Sequence, residues 1–163
     1  MEYLNQLTDS DLIAFYGKFI AELKKRTIIR TKNIVGDLGE RFAIDYYTKT
    51  EQLPNLFDAP PSSKNVDALG ENKKLYAIKS TSGTSTGAFY GLPDKESTDN
   101  PTQLFDYLLI VVFNDFYGIE AIYELTWQQF LEHKKWHSRM KTWYVPVNNI
   151  VRTAAKITYK LVN

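Results

Sequence analysis

An α/β (α+β) fold is predicted for this chain, with a central mixed β-sheet flanked by helices in a three-layer core. Two observations support this prediction: helical patterns fill the first 50 residues, and strand patterns from residue 64 onward are interrupted by one further helix near residue 127. Elements in such an order pack as layers around a single hydrophobic core. The length of 163 residues corresponds to one domain, 1-163, with N-terminal helices in 1-50 and the sheet core and C-terminal segment in 64-163.

Helical spacing of apolar residues is clearest near the N-terminus. Thr8 and Asp9 provide N-cap chemistry, and apolar residues then recur at helical spacing, which predicts a helix that ends near Arg26. The basic cluster at its end, which continues to Lys32, either complements the helix dipole or contacts phosphate groups, and the sequence leaves both open. A second helix is predicted to start at Gly36.

Strand patterns follow a Pro-rich segment, 53–63, that is predicted to be a loop. A polar segment, 82–100, is predicted to be a long surface loop, and such loops are usually functional or mobile. Thr126 and Gln129 form a capping box that opens a helix to about Trp136. The expected strands are Asn65 to Leu69, Leu75 to Thr81, Phe105 to Phe113, Gly118 to Leu125, and short segments at Trp143 to Val147 and Ile157 to Leu161.

The composition excludes several classes of protein. There is no cysteine, which excludes disulfides, thiol nucleophiles and cysteine–zinc sites. A net charge of +1 excludes a strongly polycationic binder but allows local basic patches. The longest apolar run, Tyr107 to Phe113, is far shorter than the ~20 residues of a membrane helix. The N-terminal residues lack the layout of a signal peptide, so we expect a soluble, cytoplasmic protein with no membrane partner.

An acid and a lysine on neighbouring strands carry the clearest chemistry. Asp67 lies on the first predicted strand and Lys79 on its hairpin neighbour, so the two side chains can meet on one face of the sheet. A carboxylate can bind Mg²⁺ through a hard oxygen, and an ammonium can position water or stabilise charge on a phosphate. Together with a second carboxylate, these are the parts that metal-assisted phosphodiester hydrolysis needs. The alternative is an ordinary cross-strand ion pair.

This arrangement resembles the PD-(D/E)xK nuclease superfamily, which has the restriction-endonuclease-like fold. In that family an Asp opens one strand, a D/E-x-K triplet lies on the next strand, and a Glu often comes from the preceding helix. Asp67, Lys79 and Glu40 match these positions in the right order, and the resemblance covers about Asn33 to Ser82. The helix run Gly-Asp-Leu-Gly-Glu and the basic residues before it are also similar to small bacterial proteins of restriction-enzyme type.

The resemblance implies a Mg²⁺-dependent DNA endonuclease of a restriction-modification system, which hydrolyses phosphodiester bonds of double-stranded DNA and commonly acts as a homodimer. It implies that Asp67 and Glu40 bind Mg²⁺, with Mn²⁺ as a substitute, together with the backbone carbonyl of Ile78. It also implies that Lys79 orients the attacking water or stabilises the charge that develops on the phosphate.

Ala77 stands where the family carries the second acid of its triplet, and an alanine side chain supplies no metal ligand. Three explanations stay open. The acid has migrated, to Glu40 in preference to Asp37 or Glu71; or the chain is a naturally inactive relative that still binds DNA; or it is an engineered inactive variant of a restriction enzyme. The alternative from another class is a protein-interaction domain that binds neither DNA nor metal.

Hydroxyl and basic side chains near these positions are candidate DNA contacts. The hydroxyl-rich loop after the lysine either contacts phosphates and base edges or is simply a flexible polar loop. His133 and His137, four apart on the predicted helix, have zinc-ligand spacing, but the lysines around them favour a basic DNA-facing surface instead. The candidate DNA-binding residues are Lys32, Ser80, Thr81, Ser82, Thr84, Lys134 and Lys135.

Overall fold

The computed structural model describes residues 2–60 and 63–161 of the chain. The helices are α1 (Asp9–Lys25), α2 (Ile34–Lys49), α3 (Trp127–His133) and α4 (Asn149–Ala154), and a 3-10 helix, Glu2–Gln6, precedes them. The strands are β1 (Leu56–Asp58), β2 (Ala68–Gly70), β3 (Leu75–Thr81), β4 (Tyr107–Phe113), β5 (Ile119–Thr126), β6 (Lys135–His137), β7 (Thr142–Tyr144) and β8 (Lys156–Lys160).

Across the described ranges, six of the strands form one sheet in the order β1-β2-β3-β4-β5-β8, and β6 and β7 form a separate hairpin. The pair β3–β4 is parallel, whereas the other neighbours in the sheet are antiparallel. The predicted mixed sheet with helices is therefore confirmed. The parallel pair is joined by the long segment 82–106, which crosses from one end of the sheet to the other.

Strand β4 lies in the middle of the sheet and is buried on both faces. Its side chains alternate between two apolar clusters, as the period of a strand requires. Leu108, Ile110 and Val112 belong to a cluster on one face, with Phe130 of α3 and Val151 of α4. The residues between them, Leu109, Val111 and Phe113, belong to a second cluster on the other face, with Ala43 and Tyr47 of α2. The chain thus has three layers, with α2 on one side of the sheet and α3 and α4 on the other.

Side-chain caps define where the helices begin. Thr8 accepts a hydrogen bond from the backbone of Asp11 at the start of α1, and Asn33 and Asn148 do the same for α2 and α4. Thr126 and Gln129 make the reciprocal bonds of a capping box at α3, which confirms the prediction for this helix start.

The strand predicted from Asn65 to Leu69 begins only at Ala68, so Asp67 lies just before β2 and not within a strand.

The structure differs from the sequence prediction in three further segments. The predicted loop 53–63 contains β1, because Leu56 is buried and pairs with β2. Helix α3 ends at His133 rather than near Trp136, since Lys134 has an extended backbone conformation and leads into β6. The short helix α4 was not predicted, because six residues are too few for a helical pattern to stand out.

None of the helices in the described ranges combines the length and the apolar character that crossing a bilayer requires.

Gly39 allows α2 to pack directly on β3. A Cβ atom at this position would collide with the Ser80 hydroxyl and lie 2.6 Å from the Ser80 Cβ. The close contact brings the helix residue after Gly39, which is Glu40, next to the strand that carries Lys79. The absence of a side chain at position 39 is therefore required by the approach of the two elements.

We expect Gly39→Ala to lower the free energy of unfolding by about 1–3 kcal/mol, because the new methyl group overpacks the α2–β3 contact. The matched control is Gly17→Ala in α1, where the new methyl group meets no atom within 4 Å and raises helix stability by up to ~1 kcal/mol. Urea unfolding measures both changes. Ser80→Gly in the Gly39→Ala background is expected to restore most of the lost stability; equal effects of the two alanines would contradict the packing argument.

Candidate functional site

Asp67 lies at the point where the β2–β3 ladder ends. Its backbone N–H donates to the Tyr76 carbonyl at 2.9 Å, one residue before the last register pair, Ala68 with Tyr76. Its carboxylate then turns towards β3 and accepts a hydrogen bond from the Ile78 N–H at 2.7 Å. The side chain thus replaces the next ladder bond, and this bond holds the carboxylate beside the middle of β3.

The Ile78 carbonyl points to the same side of β3 as Asp67. In an antiparallel pair, a residue exchanges both its N–H and its C=O with the same neighbouring strand, so the two groups point the same way. Because the Ile78 N–H is directed at Asp67, its carbonyl is directed to that side too. Within residues 2–60 and 63–161, the β2 register pairs stop before this position, so the ladder from β2 does not reach this oxygen.

Lys79 projects from the face of β3 opposite to α2. Tyr76 and Ile78 face the α2 cluster, so Ala77 and Lys79 face the other cluster by strand alternation. The Lys79 ammonium lies 5.6 Å from the centre of the Phe89 ring and is half-buried. In the described part of the chain, no carboxylate lies within ion-pair distance of this ammonium, so the cross-strand ion pair with Asp67 is not formed.

Glu40 lies on α2, and the charges of Asp67 and Lys79 affect the pKa of its carboxyl. Burial raises the pKa of its carboxyl to about 7, and the negative charge of Asp67 contributes to the rise. Arg30, whose guanidinium contacts the Glu40 carboxylate, and Lys79 both oppose it. The structure therefore brings Asp67 and Lys79, the other two residues of the predicted site, within electrostatic reach of Glu40.

Two other carboxylates, Asp37 and Glu71, are possible substitutes for the missing acid. In the structure both accept hydrogen bonds from other parts of the chain. Asp37 is buried, and one of its oxygens accepts the backbone N–H groups of Arg30 and Thr31, each at 2.6 Å. It therefore holds the loop that presents Arg30 to Glu40. Glu71 lies in the turn at the other end of the hairpin, where it accepts a hydrogen bond from Asn55. Of the three carboxylates, Glu40 is the one that the fold brings to Asp67.

Two residues beside the site were not singled out as site residues by the sequence reasoning. Arg30 contacts Glu40 and also lies 3.8 Å from Asp58 at the end of β1. Asp58 pairs in register with Ala68, the residue after Asp67, so a third carboxylate borders the site. No sequence signal marked Asp58, since it lies in the segment predicted to be a loop. An open cavity of about 290 Å³ adjoins these residues and is lined by Thr27, Ile28, Arg30, Asp37, Arg41 and Asp58.

The oxygen donors fit a Mg²⁺ ion that retains part of its water shell. Magnesium binds through one or two carboxylates and keeps several waters, and Asp67, Glu40 and the Ile78 carbonyl are all hard oxygen donors. Within the described ranges, no three carboxylate or imidazole groups are close enough to form a complete metal cage. The set thus suits a metal that shares its ligands with water and substrate rather than a fully enclosed ion.

Ala77 belongs to the apolar cluster and is 2% exposed. It lies two residues before Lys79, on the same face of β3. Phe89 belongs to the same apolar cluster. The position that carries an acid in the resembled family is therefore filled here by a core methyl group.

Some of the candidate DNA-binding side chains are exposed, and the others are buried or contact other residues of the chain. Ser80 is turned towards Gly39, and its hydroxyl is buried without a hydrogen-bond partner among the described residues. Thr81 is buried and accepts the Gly83 N–H. Lys134 lies 3.6 Å above the Trp143 ring, and burial lowers the pKa of its ammonium. The exposed candidates are Lys32, Ser82, Thr84 and Lys135.

Residues 134–144, which we call the basic hairpin, are connected to the loop that follows Lys79. Phe89 donates its N–H to the Trp143 carbonyl at 2.8 Å, and the Thr142 hydroxyl donates to the Phe89 carbonyl at 2.7 Å. The predicted helical pair of His133 and His137 is wrong, because His137 lies on β6 beyond the end of α3. The exposed charged side chains of the hairpin are Lys135, Arg139 and Lys141.

Comparison with protein-family models finds no match, and comparison with curated proteins finds no significant match. The geometry of the site is therefore the basis on which a function can be assigned.

We expect Glu40→Gln to change the pH dependence of stability in metal-free solution. The folded state holds the Glu40 proton more tightly than the unfolded state, whose carboxyl has the ordinary pKa of 4.5. The stability that this proton provides is present below pH 4.5 and is lost as the pH rises towards 7. Because Gln stays neutral, the variant should gain about 1–3 kcal/mol relative to the natural chain between these limits. Urea unfolding with EDTA across this range measures the difference.

Glu71→Gln, which removes an exposed carboxylate in the hairpin turn, is the control and should leave the pH profile unchanged. A Glu40→Gln profile parallel to that of the natural chain would show that Glu40 titrates normally.

Proposed function

We propose that this protein is a Mg²⁺-dependent DNA endonuclease of restriction-enzyme type, with the restriction-endonuclease-like fold. The observation that carries the proposal is that Asp67, fixed on the Ile78 N–H where the β2–β3 ladder ends, and Lys79, on the opposite face of β3 from α2, both lie within electrostatic reach of Glu40. These three side chains come from helix α2, from strand β3 and from the residue just before β2, and they are the residues that match the nuclease motif. Phosphodiester hydrolysis requires this combination of hard oxygen ligands and a nearby cation.

Asp67 and Glu40 would hold Mg²⁺, with the Ile78 carbonyl as the third protein donor; Mn²⁺ takes the same ligands. The bound ion would supply Lewis-acid polarisation of the phosphate and a water of lowered pKa. Asp67 is preorganised for this role, because its bond to the Ile78 N–H fixes one carboxylate oxygen and orients the other. Glu40 must exchange its contact with Arg30 in order to take part, which ties ligand binding to the loop that Asp37 holds.

Lys79 would orient the attacking water or stabilise the charge on the phosphate. Its ammonium has no carboxylate partner among the described residues, so its charge remains available to a substrate. The Phe89 ring lies beside it and limits access of bulk water on that side. A cation in a partly desolvated position interacts more strongly with a developing anion than it would in water.

The basic hairpin would contact the DNA next to this centre. Hydrogen bonds through Phe89 connect it to the loop that begins after Lys79, and it carries Lys135, Arg139 and Lys141 on its exposed side. Phosphate contacts by such cations position a duplex, and a two-stranded ribbon has the width to enter the major groove. Lys32, Ser82 and Thr84 are exposed polar residues available for further contacts, and the family resemblance implies that the enzyme acts as a homodimer in a restriction-modification system.

A second candidate function is DNA binding without cleavage. The observation that favours it is Ala77: the second acid is missing, and its position lies in the apolar cluster. An engineered inactive variant of a restriction enzyme would share this feature. Calorimetric titration with Mg²⁺ or Mn²⁺ in the presence of DNA separates the candidates, because the inactive protein binds DNA without binding the ion.

We expect Asp67→Asn and Lys79→Met each to reduce Mg²⁺-dependent nicking of plasmid DNA by at least about 100-fold. Asn keeps an oxygen that can accept the Ile78 N–H, so the loss reports the missing charge and not a rearranged strand. The matched controls are Glu71→Gln and Lys160→Met, which alter an exposed carboxylate and an exposed lysine away from the site. Cleavage by either site variant at the rate of the natural chain would refute the assignment.

We expect the triple variant Lys135→Ala, Arg139→Ala, Lys141→Ala to weaken duplex binding and to reduce the slope of log affinity against log salt. Each lost phosphate contact lowers that slope by roughly one. Fluorescence anisotropy over a salt series in Ca²⁺ or EDTA measures binding without cleavage. Lys160→Ala, on the strand at the opposite edge of the sheet from β1, is the control. An unchanged slope in the triple variant would remove the basic hairpin from the DNA interface.

A further inference from the structure

Helix α1 carries a large apolar surface that the other described residues leave largely exposed. None of its 17 residues is buried, and neither core cluster of the described residues includes one of them. Monomeric soluble proteins rarely leave a contiguous apolar patch of this kind uncovered. Its exposed large apolar side chains are Leu12 (38% exposed), Ile13 (73%), Phe15 (45%), Tyr16 (59%) and Phe19 (52%).

The apolar residues follow the spacing of a helix-pairing seam. Leu12, Tyr16, Phe19 and Leu23 are separated by four, three and four positions, which is the alternation of a coiled-coil interface. Residues 11, 18 and 25, at seven-residue intervals, are all charged and lie on the opposite face. The helix thus has one apolar stripe and one charged stripe, and within the described residues Leu23 is half-buried while Leu12, Tyr16 and Phe19 stay exposed.

The order of residue types along this apolar stripe, leucine, aromatic, aromatic and leucine, is the same in both directions. When a second α1 runs antiparallel to the first, Leu12 of one copy lies opposite Leu23 of the other, and Tyr16 lies opposite Phe19. Leucine therefore meets leucine at both ends, and aromatic side chains meet at the centre. This self-complementarity is what a two-fold interface between identical chains requires.

The charges at the two ends of α1 also favour an antiparallel pair. The first turn of α1 carries Asp9 and Asp11, and the last turn carries Lys24 and Lys25. An antiparallel pair places the acidic turn of each copy beside the basic turn of the other, whereas a parallel pair places like charges together. The helix dipoles are also opposed in the antiparallel arrangement, which adds to the attraction.

We propose that α1 pairs antiparallel with α1 of a second copy of this chain and that this helix pair is the dimer interface. With ~150–250 Å² for a fully exposed large side chain, the five side chains given above, at about half exposure, offer about 500 Å² on each copy, so a pair buries about 1,000 Å², near the lower limit of a specific interface. The dimer is thus of moderate affinity. The inference does not depend on the proposed nuclease activity, because it uses no residue of that site.

Sedimentation velocity tests the interface. The natural chain at about 100 µM is expected to sediment as a dimer, and Phe19→Glu as a monomer with at least a tenfold weaker association, because the variant buries a charge in the seam. Phe116→Glu is the control: Phe116 is 88% exposed, lies in the β4–β5 turn and should not affect association. Unchanged far-ultraviolet circular dichroism of Phe19→Glu confirms that the fold is intact. A monomeric natural chain, or a dimer that survives Phe19→Glu, overturns the proposal.

Cysteine cross-linking tests the direction, since the chain has no cysteine of its own. A disulfide needs Cα atoms within about 7 Å, and Leu12 and Leu23 are about 16 Å apart along one helix. An equimolar mixture of Leu12→Cys and Leu23→Cys should therefore give mainly the mixed disulfide on mild oxidation, and Leu12→Cys alone should give little. Efficient self-linking of Leu12→Cys, or no mixed product, overturns the antiparallel arrangement.

Discussion

The burial of β4 on both faces is the constraint on which the rest of this structure depends. A strand with apolar residues at every position cannot leave either side of the sheet open to water, so helices must cover both. Residues 34–49 provide the cover on one face, and residues 127–133 and 149–154 provide it on the other. Because the helix Ile34–Lys49 must lie close to the sheet, its small residues face the strand next to β4, and Gly39 permits direct contact there.

That contact also determines where the candidate site forms. Glu40 follows Gly39, so the packing of α2 on β3 brings a carboxylate to the strand that carries Lys79. Along the edge of β3 that faces β2, the β2–β3 ladder ends early. The Asp67 carboxylate there accepts the Ile78 N–H in place of the next backbone ladder bond. The site is thus a consequence of two local features, a helix that approaches closely and a strand pair that ends. The partly buried position then raises the pKa of Glu40 and leaves the Lys79 charge without a partner among the described residues.

Two surfaces outside the sheet, the basic hairpin and helix α1, differ in the polarity of their exposed side chains. The hairpin at 134–144 is tied to the loop after Lys79 by backbone bonds, with Lys134 covering Trp143, so its shape is held while its other cations remain exposed. Helix α1 instead contributes no residue to either core cluster, and most of its apolar stripe is exposed. One surface is suited to a polyanion and the other to an apolar partner, which fits a net charge near zero spread unevenly over the molecule.

The sequence by itself determined the elements with strong local signals: α1, β3, β4 and the capping box of α3 are all read from periodicity and cap residues. It also singled out Glu40, Asp67 and Lys79 as candidate site residues, since motif order is a property of the chain. Only the tertiary structure decided that β1 is a strand, that α3 stops at His133, and that Asp37 holds a loop while Arg30 contacts Glu40. Those outcomes depend on partners distant in sequence, such as Trp143 beneath Lys134 and β2 beside Leu56, and local pattern carries no information about such contacts.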